Sequence, residues 1–488
     1  MKSILVFTLL IASFTVQAAP APTFRFHLAT EPNSIDPQRQ KSSASSYLIT
    51  SLHRNIFYYD NEKGLVPDLG EKCQRIKGSL ICKLKKNLKW SDGTDLSSED
   101  FLNTYKKILD PKNTSPRADL LFKVKNALEI YQGKKPMDSL GISAPDKFTL
   151  KFEFAEPAPD FEYSLITLNL APTKENPQAG TGPYKIKEWV KGKKITLEPN
   201  SFYIGGHPDR PLVEILFIEE DSVALQLYEK NQLQFLRRLP TLFIPMAKAR
   251  PDFHWVPVIR LDYIGFGPEL KDHEDIRKAF TYSLNYPELQ KIFSSKGAPG
   301  CIGLPDSWFP QKAPCYTFDL KKVPPLKKTP TYTMMFSSLG GEDHKRATEW
   351  LQNQWQKNAG LKTHLEAKEN KVFLRILEEK TPALFRKGVA PDRPTCLAAL
   401  ETFSANSPEN FIRFKDPAYT GILQKLGKAK DQNEAKKLCL EGANYLMNRH
   451  LIIPLGAIQF AILAKQDFIG WKLNQMNQLD LSQLHSRP

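Results

Sequence analysis

Short runs of alternating apolar and polar residues recur along the chain between segments that have apolar residues at helical spacing. Alternation is typical of strands with one buried face, whereas apolar residues three and four positions apart predict amphipathic helices. The predicted strands are residues 24–29, 149–154, 195–197 and 213–218, and the predicted helices are residues 120–131, 222–230 and 342–358. Because strands and helices are interspersed, the pattern indicates an α/β (α+β) fold.

The segment 84–111 has the most detailed local pattern. A Lys-rich strand is predicted to end at Trp90 and to run into a turn in which Gly93 takes a positive φ. A helix follows, because Ser97 and Asp100 have the spacing of a capping box and an apolar face begins directly after them. The segment therefore predicts a strand, a tight turn and a capped helix.

Residues 1–18 have the pattern of a secretory signal peptide. Lys2 precedes an apolar run at residues 4–14, and the small residues Val16 and Ala18 occupy the positions that a signal peptidase reads. The run is too short to span a bilayer, and no cysteine follows it that would predict a lipid anchor. We therefore predict cleavage after Ala18 and export to the periplasm.

Length and charge set broad limits on the function. A chain of 488 residues with 41% hydrophobic residues can bury a large core and predicts two or three domains. The formal net charge of +15 favours acidic partners. No motif of basic and aromatic residues accompanies this charge, so we expect a solvated basic surface and no nucleic-acid partner.

Six cysteines in an exported chain predict disulfide bonds. One pair faces across a predicted hairpin, a second brackets a loop, and the third follows by elimination. The three predicted pairs are Cys73–Cys82, Cys301–Cys315 and Cys396–Cys439. The alternative is a metal site, but the sequence contains neither a C-x-x-C nor an H-E-x-x-H motif. We therefore expect neither a metal nor a cofactor.

The sequence contains no recognisable catalytic motif. It has no G-x-S-x-G and no P-loop, and the glycines at Gly265 and Gly267 lack the third glycine of a dinucleotide-binding fingerprint. We therefore expect a binding protein and not an enzyme, with no catalytic residues.

Several motifs together resemble a known family. They are TEPNSIDP at residues 30–37, WSDGT and EDF at residues 90–101, EIYQGKKPMDSLGISAPDKFTLKFEFAEPAPDF at 129–161, GTGPYKIKEW at 180–189 and IRKAFTYSLNYPEL at 276–289. In this order they resemble the peptide-type (family 5) extracellular solute-binding proteins of ABC importers, and within them the oligopeptide-binding branch. The resemblance implies two lobes, an extra accessory domain and a ligand cleft between the lobes.

The resemblance also implies a domain organisation. The first lobe is expected to consist of residues 19–55, 174–268 and 455–488. The accessory domain is expected at residues 56–173, and the second lobe at residues 269–454. A ligand that touches both lobes would stabilise a closed state through its differential affinity.

One stretch is similar to the family segment in which an aspartate pairs with the α-amino group of a peptide. The stretch RKGVAPDRP places Asp392 on that aspartate and Gly388 on a family glycine, with Ala390 between them. The match departs from the family at Val389, which replaces a tryptophan, and at Arg393, which replaces a tyrosine. The resemblance implies that Asp392 binds the ligand amino group.

Other ligand-binding positions are implied less directly. Arg386 is expected to face the carboxylate of a peptide, because a guanidinium fork suits that group. Arg117 stands where family members carry a tyrosine that contacts the ligand, and it would add positive charge to the cleft. The opening loop is expected to line the cleft and to offer backbone groups through Glu31, Pro32 and Asn33.

The expected function is that of a periplasmic, monomeric carrier that captures peptides and delivers them to the permease subunits of an ABC transporter. Two alternatives remain open. The solute can be different, for example an oligosaccharide, which would require Trp350 and Trp355 to line the cleft. Alternatively, the protein presents a ligand to a sensor or acts as a holdase, without transport.

Overall fold

The structure is a computed structural model, and it describes residues 22–32, 34–39, 46–293, 298–457 and 459–487. The predicted signal peptide and Asn33 lie outside the described residues. The helices are α1 (Ser46–Leu52), α2 (Ser98–Leu109), α3 (Ala127–Tyr131), α4 (Phe161–Ser164), α5 (Asp221–Glu229), α6 (Ile244–Ala247), α7 (Glu274–Tyr282), α8 (Tyr286–Phe293), α9 (Gly341–Ala359), α10 (Asn370–Glu379), α11 (Cys396–Glu401), α12 (Pro417–Leu426) and α13 (Gln432–Asn448).

The strands are distributed over the whole described chain. They are β1 (Thr23–Leu28), β2 (Phe57–Asp60), β3 (Gly64–Pro67), β4 (Gly70–Ile76), β5 (Ser79–Leu84), β6 (Ile142–Asp146), β7 (Thr149–Glu153), β8 (Tyr184–Val190), β9 (Lys194–Pro199), β10 (Leu212–Phe217), β11 (Phe235–Leu236), β12 (Phe253–Pro257), β13 (Leu261–Phe266), β14 (Thr331–Ser337), β15 (Lys362–Lys368), β16 (Leu384–Val389), β17 (Ile452–Pro454), β18 (Gln459–Ala464), β19 (Phe468–Ile469), β20 (Lys472–Leu473), β21 (Leu479–Asp480) and β22 (His485–Ser486).

A seven-stranded sheet has the order β12-β18-β11-β1-β10-β9-β8. The central strand β1 pairs in parallel with β10 and β11, and the other pairs are antiparallel. Phe24 and Phe26 of β1 are fully buried, which explains the apolar alternation of this strand. Three separate parts of the chain therefore meet in one sheet.

A five-stranded sheet has the order β15-β14-β16-β13-β17. Strand β14 runs parallel to β15 and β16, whereas β13 is antiparallel to β16 and β17. Trp355 of α9 is fully buried, and its Nε1 donates a hydrogen bond to the carbonyl oxygen of Phe280 at 2.9 Å. Trp350 packs against the same core. Both tryptophans therefore pack in this core. They do not support the oligosaccharide alternative, which required them to line the cleft.

A four-stranded sheet, β4-β5-β7-β6, packs against α2 over one core. The capping box is confirmed, since the Ser97 backbone N donates to Asp100 Oδ2 at 2.7 Å and Asp100 is the third helical residue. Gly93 has a φ of 87°, and a Cβ there would lie 2.9 Å from the ring of Phe202. The positive φ of the turn therefore favours glycine, and the ring of Phe202 lies against it.

Two local predictions were wrong. The Lys-rich strand ends at Leu84 and not at Trp90, because the chain turns at Asn87, which has a φ of 61°. The predicted helix 120–131 is broken, because Asn126 has a left-handed φ of 63° and only α3 follows it.

The sheets also bear on the predicted domain organisation. Strand β13 lies within the range 174–268 predicted for the first lobe, yet it pairs with β16 and β17 of the five-stranded sheet. The chain therefore leaves the seven-stranded sheet after β12, at residues 258–260, and returns to it between β17 and β18. The early crossing reflects pairing with distant strands, which local sequence does not encode. The remaining domain boundaries stay a prediction.

All three predicted disulfide pairs are present: Cys73–Cys82, Cys301–Cys315 and Cys396–Cys439. Cys73 and Cys82 are directly opposite each other on β4 and β5, as the hairpin predicts. Within the described ranges, no helix is both long and apolar enough to cross a membrane.

We predict that removing the Cys396–Cys439 bond destabilises the protein more than removing the Cys73–Cys82 bond. The bonded residues are 43 and 9 positions apart, and a longer closed loop restricts the unfolded chain more. The expected difference in the free energy of unfolding is about 1 kcal/mol. Urea unfolding of the two paired Cys→Ala variants measures it. The pairs are matched, because each contains one fully buried cysteine, and equal losses would contradict the prediction.

Candidate ligand-binding site

The loop that follows β16 carries the residue expected to bind the ligand amino group. Pro391 is buried, and the loop ends at Thr395, whose hydroxyl oxygen accepts a hydrogen bond from the backbone N of Ala398 at the start of α11. The disulfide at Cys396 then joins α11 to α13. Asp392 is therefore held between a strand and a covalently anchored helix.

Asp392 accepts hydrogen bonds from two arginines. The Nε of Arg393 donates to its Oδ1 at 3.1 Å, and the Nη2 of Arg117 donates to its Oδ2. Arg117 also makes a bidentate pair with Asp119, with both distances 3.0 Å. The carboxylate of Asp392 is thus enclosed by two guanidinium groups that come from different parts of the chain.

Further carboxylates surround these arginines. Arg393 Nη2 donates to Glu401 Oε2 at 2.8 Å, and Arg393 Nη1 lies 3.6 Å from Asp160 Oδ2. We call this group the acidic cluster; its members are Arg117, Asp119, Asp160, Asp392, Arg393 and Glu401.

The acidic cluster joins distant parts of the chain and has fewer cationic than anionic groups. Arg117 lies between β5 and β6 of the four-stranded sheet and Asp160 follows its strand β7, whereas Asp392 and Arg393 follow β16 of the five-stranded sheet. Two arginines face four carboxylates, so the cluster has an excess of negative charge when all six groups are ionised. An additional cation is therefore electrostatically favoured there.

The pKa values follow from burial and these neighbours. Burial raises the pKa of Asp392, but the guanidinium groups of Arg393 and Arg117 outweigh burial and hold the pKa below its ordinary value. Burial raises the pKa of Glu401, and the negative charges of Asp392 and Asp160 add to this increase against the opposing effect of Arg393. The two carboxyl groups thus shift in opposite directions within one cluster.

A second charged group lies immediately before this loop, on β16 and its partner strand. Arg386 is 6% exposed, and its Nη2 donates to Asp262 Oδ2 at 3.2 Å. Arg260 Nη2 lies 3.6 Å from Asp262 Oδ1, and Lys387 Nζ lies 3.5 Å from Glu409 Oε2. We call this group the basic cluster; its members are Arg260, Asp262, Arg386, Lys387 and Glu409.

Gly388 makes room for one of these cations. A Cβ at this position would lie 1.9 Å from Nη2 of Arg260, a distance that no real Cβ contact permits. Gly388 is directly opposite Asp262 in the β13–β16 register. The glycine therefore lets the Arg260 guanidinium lie against the strand, where 33% of its side chain is exposed.

Burial dominates the electrostatics of the basic cluster. It lowers the pKa of Arg386 and of Lys387, although Asp262 and Glu409 oppose this effect. Asp262 keeps a lowered pKa, because Arg386 and Arg260 outweigh the effect of its burial. Burial, together with the nearby Arg386, also lowers the pKa of His344 well below its ordinary value, so this imidazole is neutral at pH 7.

The structure brings some of the predicted site residues together. Asp392 and Arg117 are in direct contact, Arg386 and Gly388 belong to or border the basic cluster, and Ala390 is exposed between the two clusters.

The opening loop has different contacts. The carboxylate of Glu31 accepts from Trp189 Nε1 at 2.7 Å and from the backbone N of Gly192 at 3.0 Å, and Pro32 is buried. The side chain of Glu31 therefore fixes the loop to the turn between β8 and β9. Its backbone role toward a ligand stays a prediction.

The sequence reasoning missed several members of the clusters. Arg393 was noted only as a replacement for an aromatic residue, although an arginine directly after a candidate binding aspartate is itself a signal. The other missed residues are Asp119, Asp160, Arg260, Asp262, Lys387, Glu401 and Glu409. In the described part of the chain, no group of three or more His, Cys, Asp or Glu residues is arranged to hold a metal ion.

Comparison with known proteins identifies the family of the chain. The profile of the bacterial extracellular solute-binding proteins, family 5 (middle region), matches residues 64–411. The chain belongs to this family. Among similar proteins, the probable deoxycholate-binding periplasmic protein YgiS of Escherichia coli (strain K12) is 23% identical over 475 residues, which cover 90% of this chain and 88% of that protein.

Two further relatives cover nearly the same extent. The periplasmic oligopeptide-binding protein OppA of Salmonella typhimurium is 23% identical over 491 residues, covering 90% of this chain and 88% of that protein. The structure of the Escherichia coli murein tripeptide binding protein MppA superposes with a TM-score of 0.85 at 20% identity, covering 96% and 99% of the two chains. This family-5 protein therefore has the two-lobed fold of periplasmic binding proteins.

We predict that two substitutions in the acidic cluster change the pH dependence of stability on opposite sides of about pH 4. Because the pKa of Glu401 is raised, Glu401→Gln should gain stability relative to the wild type as the pH rises above that value. Because the pKa of Asp392 is lowered, the stability that Asp392→Asn lacks should shrink as the pH falls below it. Denaturant unfolding at several pH values tests both signs, and parallel curves for the variants and the wild type would contradict them.

Proposed function

We propose that this family-5 protein is the solute-binding subunit of an ABC importer, which captures peptides between its lobes and passes them to membrane permease subunits. The observation that carries the proposal is the pair of oppositely charged clusters beside β16. Membership of a solute-binding family supports a binding role without catalysis. The relatives named for oligopeptides and for a murein tripeptide support a peptide ligand.

A peptide with free ends carries an ammonium group and a carboxylate, joined by a backbone of fixed spacing. The acidic cluster has an excess of negative charge. In the basic cluster, Arg260 and Arg386 share the single carboxylate of Asp262 on one face of β16, whereas Lys387 points to the other face and pairs with Glu409. They occur one after the other along residues 386–393. A zwitterionic chain placed along this segment therefore finds a complementary charge at each end.

Individual residues take distinct roles in this proposal. Asp392 accepts the ligand ammonium group, and a charge-assisted hydrogen bond there favours ligands with a free amino terminus. Arg260 meets the ligand carboxylate, because it is the exposed guanidinium of the basic cluster. Arg386 positions the site through its buried pair with Asp262. Backbone groups of Glu31 and Pro32 contact the extended peptide from the first lobe.

Closure of the lobes follows from this arrangement. We assign residues 22–55, 174–257 and 455–487 to the first lobe, 56–173 to the accessory domain and 261–454 to the second lobe. A ligand bound to both sides stabilises the closed state by its differential affinity for that state. Each copy contains both clusters, so a monomer is sufficient for binding.

We predict that the protein purified from the exported fraction carries peptides, and that mass spectrometry of the extracted ligand identifies them. Asp392→Asn should lower the affinity for a free-amino peptide more than the affinity for its N-acetylated form, because only the free amino group makes a charge-assisted hydrogen bond with the carboxylate. Calorimetric titration of both peptides measures this. A bile-acid-like carboxylate or an oligosaccharide as the extracted ligand would contradict the proposed peptide function.

A further prediction concerns export. The pattern of residues 1–18 supports cleavage after Ala18 and a periplasmic location. We expect N-terminal sequencing of the mature protein to begin at Ala19. As a control, substituting Arg for Leu9 and Leu10 in the apolar run should leave the precursor in the cytoplasm, because the charged run no longer partitions into the membrane. A mature chain that retains Met1 would contradict the prediction.

A further inference from the structure

Arg117 is bonded to Asp392, which is the carboxylate that the proposed function assigns to the amino group of the ligand. It donates to Oδ2 of Asp392, whereas Arg393 uses Oδ1. To form its charge-assisted hydrogen bond, a ligand ammonium group must lie beside the same carboxylate. We infer that Arg117 is a tethered cation that competes with the ligand amino group for Asp392, and that it thereby limits the selection of ligands with a free amino end. This inference rests on the proposed function.

The contacts of Arg117 allow it to leave Asp392 without becoming an unpaired charge. Its guanidinium also makes a bidentate pair with Asp119, two positions along the chain, at 3.0 Å for both bonds. The side chain of Arg117 is 28% exposed, so water reaches the displaced group. The released arginine therefore keeps one carboxylate partner and gains solvation.

Asp392 is likewise never without a cation during the exchange. Arg393 remains on Oδ1, and it is itself held by Glu401 at 2.8 Å. Breaking a buried pair is costly when it leaves a bare charge, and here one cation replaces another. The exchange is therefore a substitution between two similar pairs, with a small net free energy.

This substitution determines how strongly the site distinguishes ligands. A peptide with a free amino group gains its contact with Asp392 only by displacing Arg117, so the net gain is smaller than that of the contact alone. An N-acetylated peptide has no ammonium group to place at Asp392. It therefore binds without breaking the bond between Arg117 and Asp392. The wild type should therefore prefer free-amino peptides less than a variant from which Arg117 has been removed.

The ratio of the two affinities isolates this effect from domain closure. The bond between Arg117 and Asp392 also joins the accessory domain to the second lobe. Its loss changes the open–closed equilibrium, but this change multiplies the affinity of every ligand by the same factor. Only the ratio between free and acetylated ligands reports on competition at Asp392.

The test uses Arg117→Gln in the full chain. Equal amounts of a random tetrapeptide mixture and of the same mixture N-acetylated, which differ in mass, are incubated with the protein after bound ligand has been removed. Mass spectrometry of the retained peptides gives the ratio of free to acetylated forms. We expect this ratio to rise about tenfold or more in Arg117→Gln relative to the wild type.

Arg250→Gln is the matched control. Arg250 makes a bidentate pair with Asp252 and a further pair with Glu229, and it is 31% exposed, so it resembles Arg117 in partners and exposure. It lies between α6 and β12, away from the acidic cluster in the chain. We expect an unchanged ratio. Arg117→Lys keeps the charge but lacks the fork of a guanidinium, and its ratio should lie between those of the wild type and Arg117→Gln.

The outcomes separate the two claims. A ratio that stays the same or falls in Arg117→Gln overturns the inference and leaves the peptide-carrier function intact. A rise of equal size in Arg250→Gln also overturns it, because the cause would then be net charge. Wild-type protein that retains neither peptide form overturns the proposed function, and the inference with it. Circular dichroism of each variant confirms that the fold is kept.

Discussion

The enclosed carboxylate of Asp392 is the constraint on which the rest of the site depends. A carboxylate largely withdrawn from water needs cationic partners, or it becomes neutral. Its own loop supplies Arg393, but Arg117 comes from a part of the chain 275 positions away. The bond between Arg117 and Asp392 therefore belongs to the charged site and also joins two distant parts of the chain. A change in the charge of the site alters this connection, and a change in the connection alters the charge of the site.

The parts of the fold that depend on near neighbours could be predicted from sequence. The capping box at Ser97 and the positive φ of Gly93 need only a few adjacent residues, and the hairpin disulfide at Cys73 needs only its turn. Asparagine adopts a positive φ more readily than most residues, but the neighbouring sequence does not tell which asparagine does so, and Asn126 also donates a side-chain hydrogen bond to Ser139, 13 positions away. The same holds for β13, whose sheet is decided by partners more than 100 positions away.

The site could be predicted only in part for the same reason. The family motif identified the position of Asp392, and the departure from the family drew attention to Arg117. Their contact joins residues 275 positions apart, and no periodicity or spacing encodes it. Asp160 and Glu401 are single acidic residues outside any recognisable motif. Only the folded chain shows that both of them pair with Arg393.

Each of the three disulfides lies within one part of the fold: one in the four-stranded sheet and two in the region around the five-stranded sheet. The bonds described between these two parts are ionic, from Arg117 to Asp392, from Arg393 to Asp160 and from Lys428 to Glu156. Dissolved salt weakens ionic contacts of partly exposed groups but leaves covalent bonds unchanged. Dissolved salt therefore weakens the exposed Lys428–Glu156 pair most, the enclosed pairs around Asp392 and Arg393 less, and the disulfides not at all.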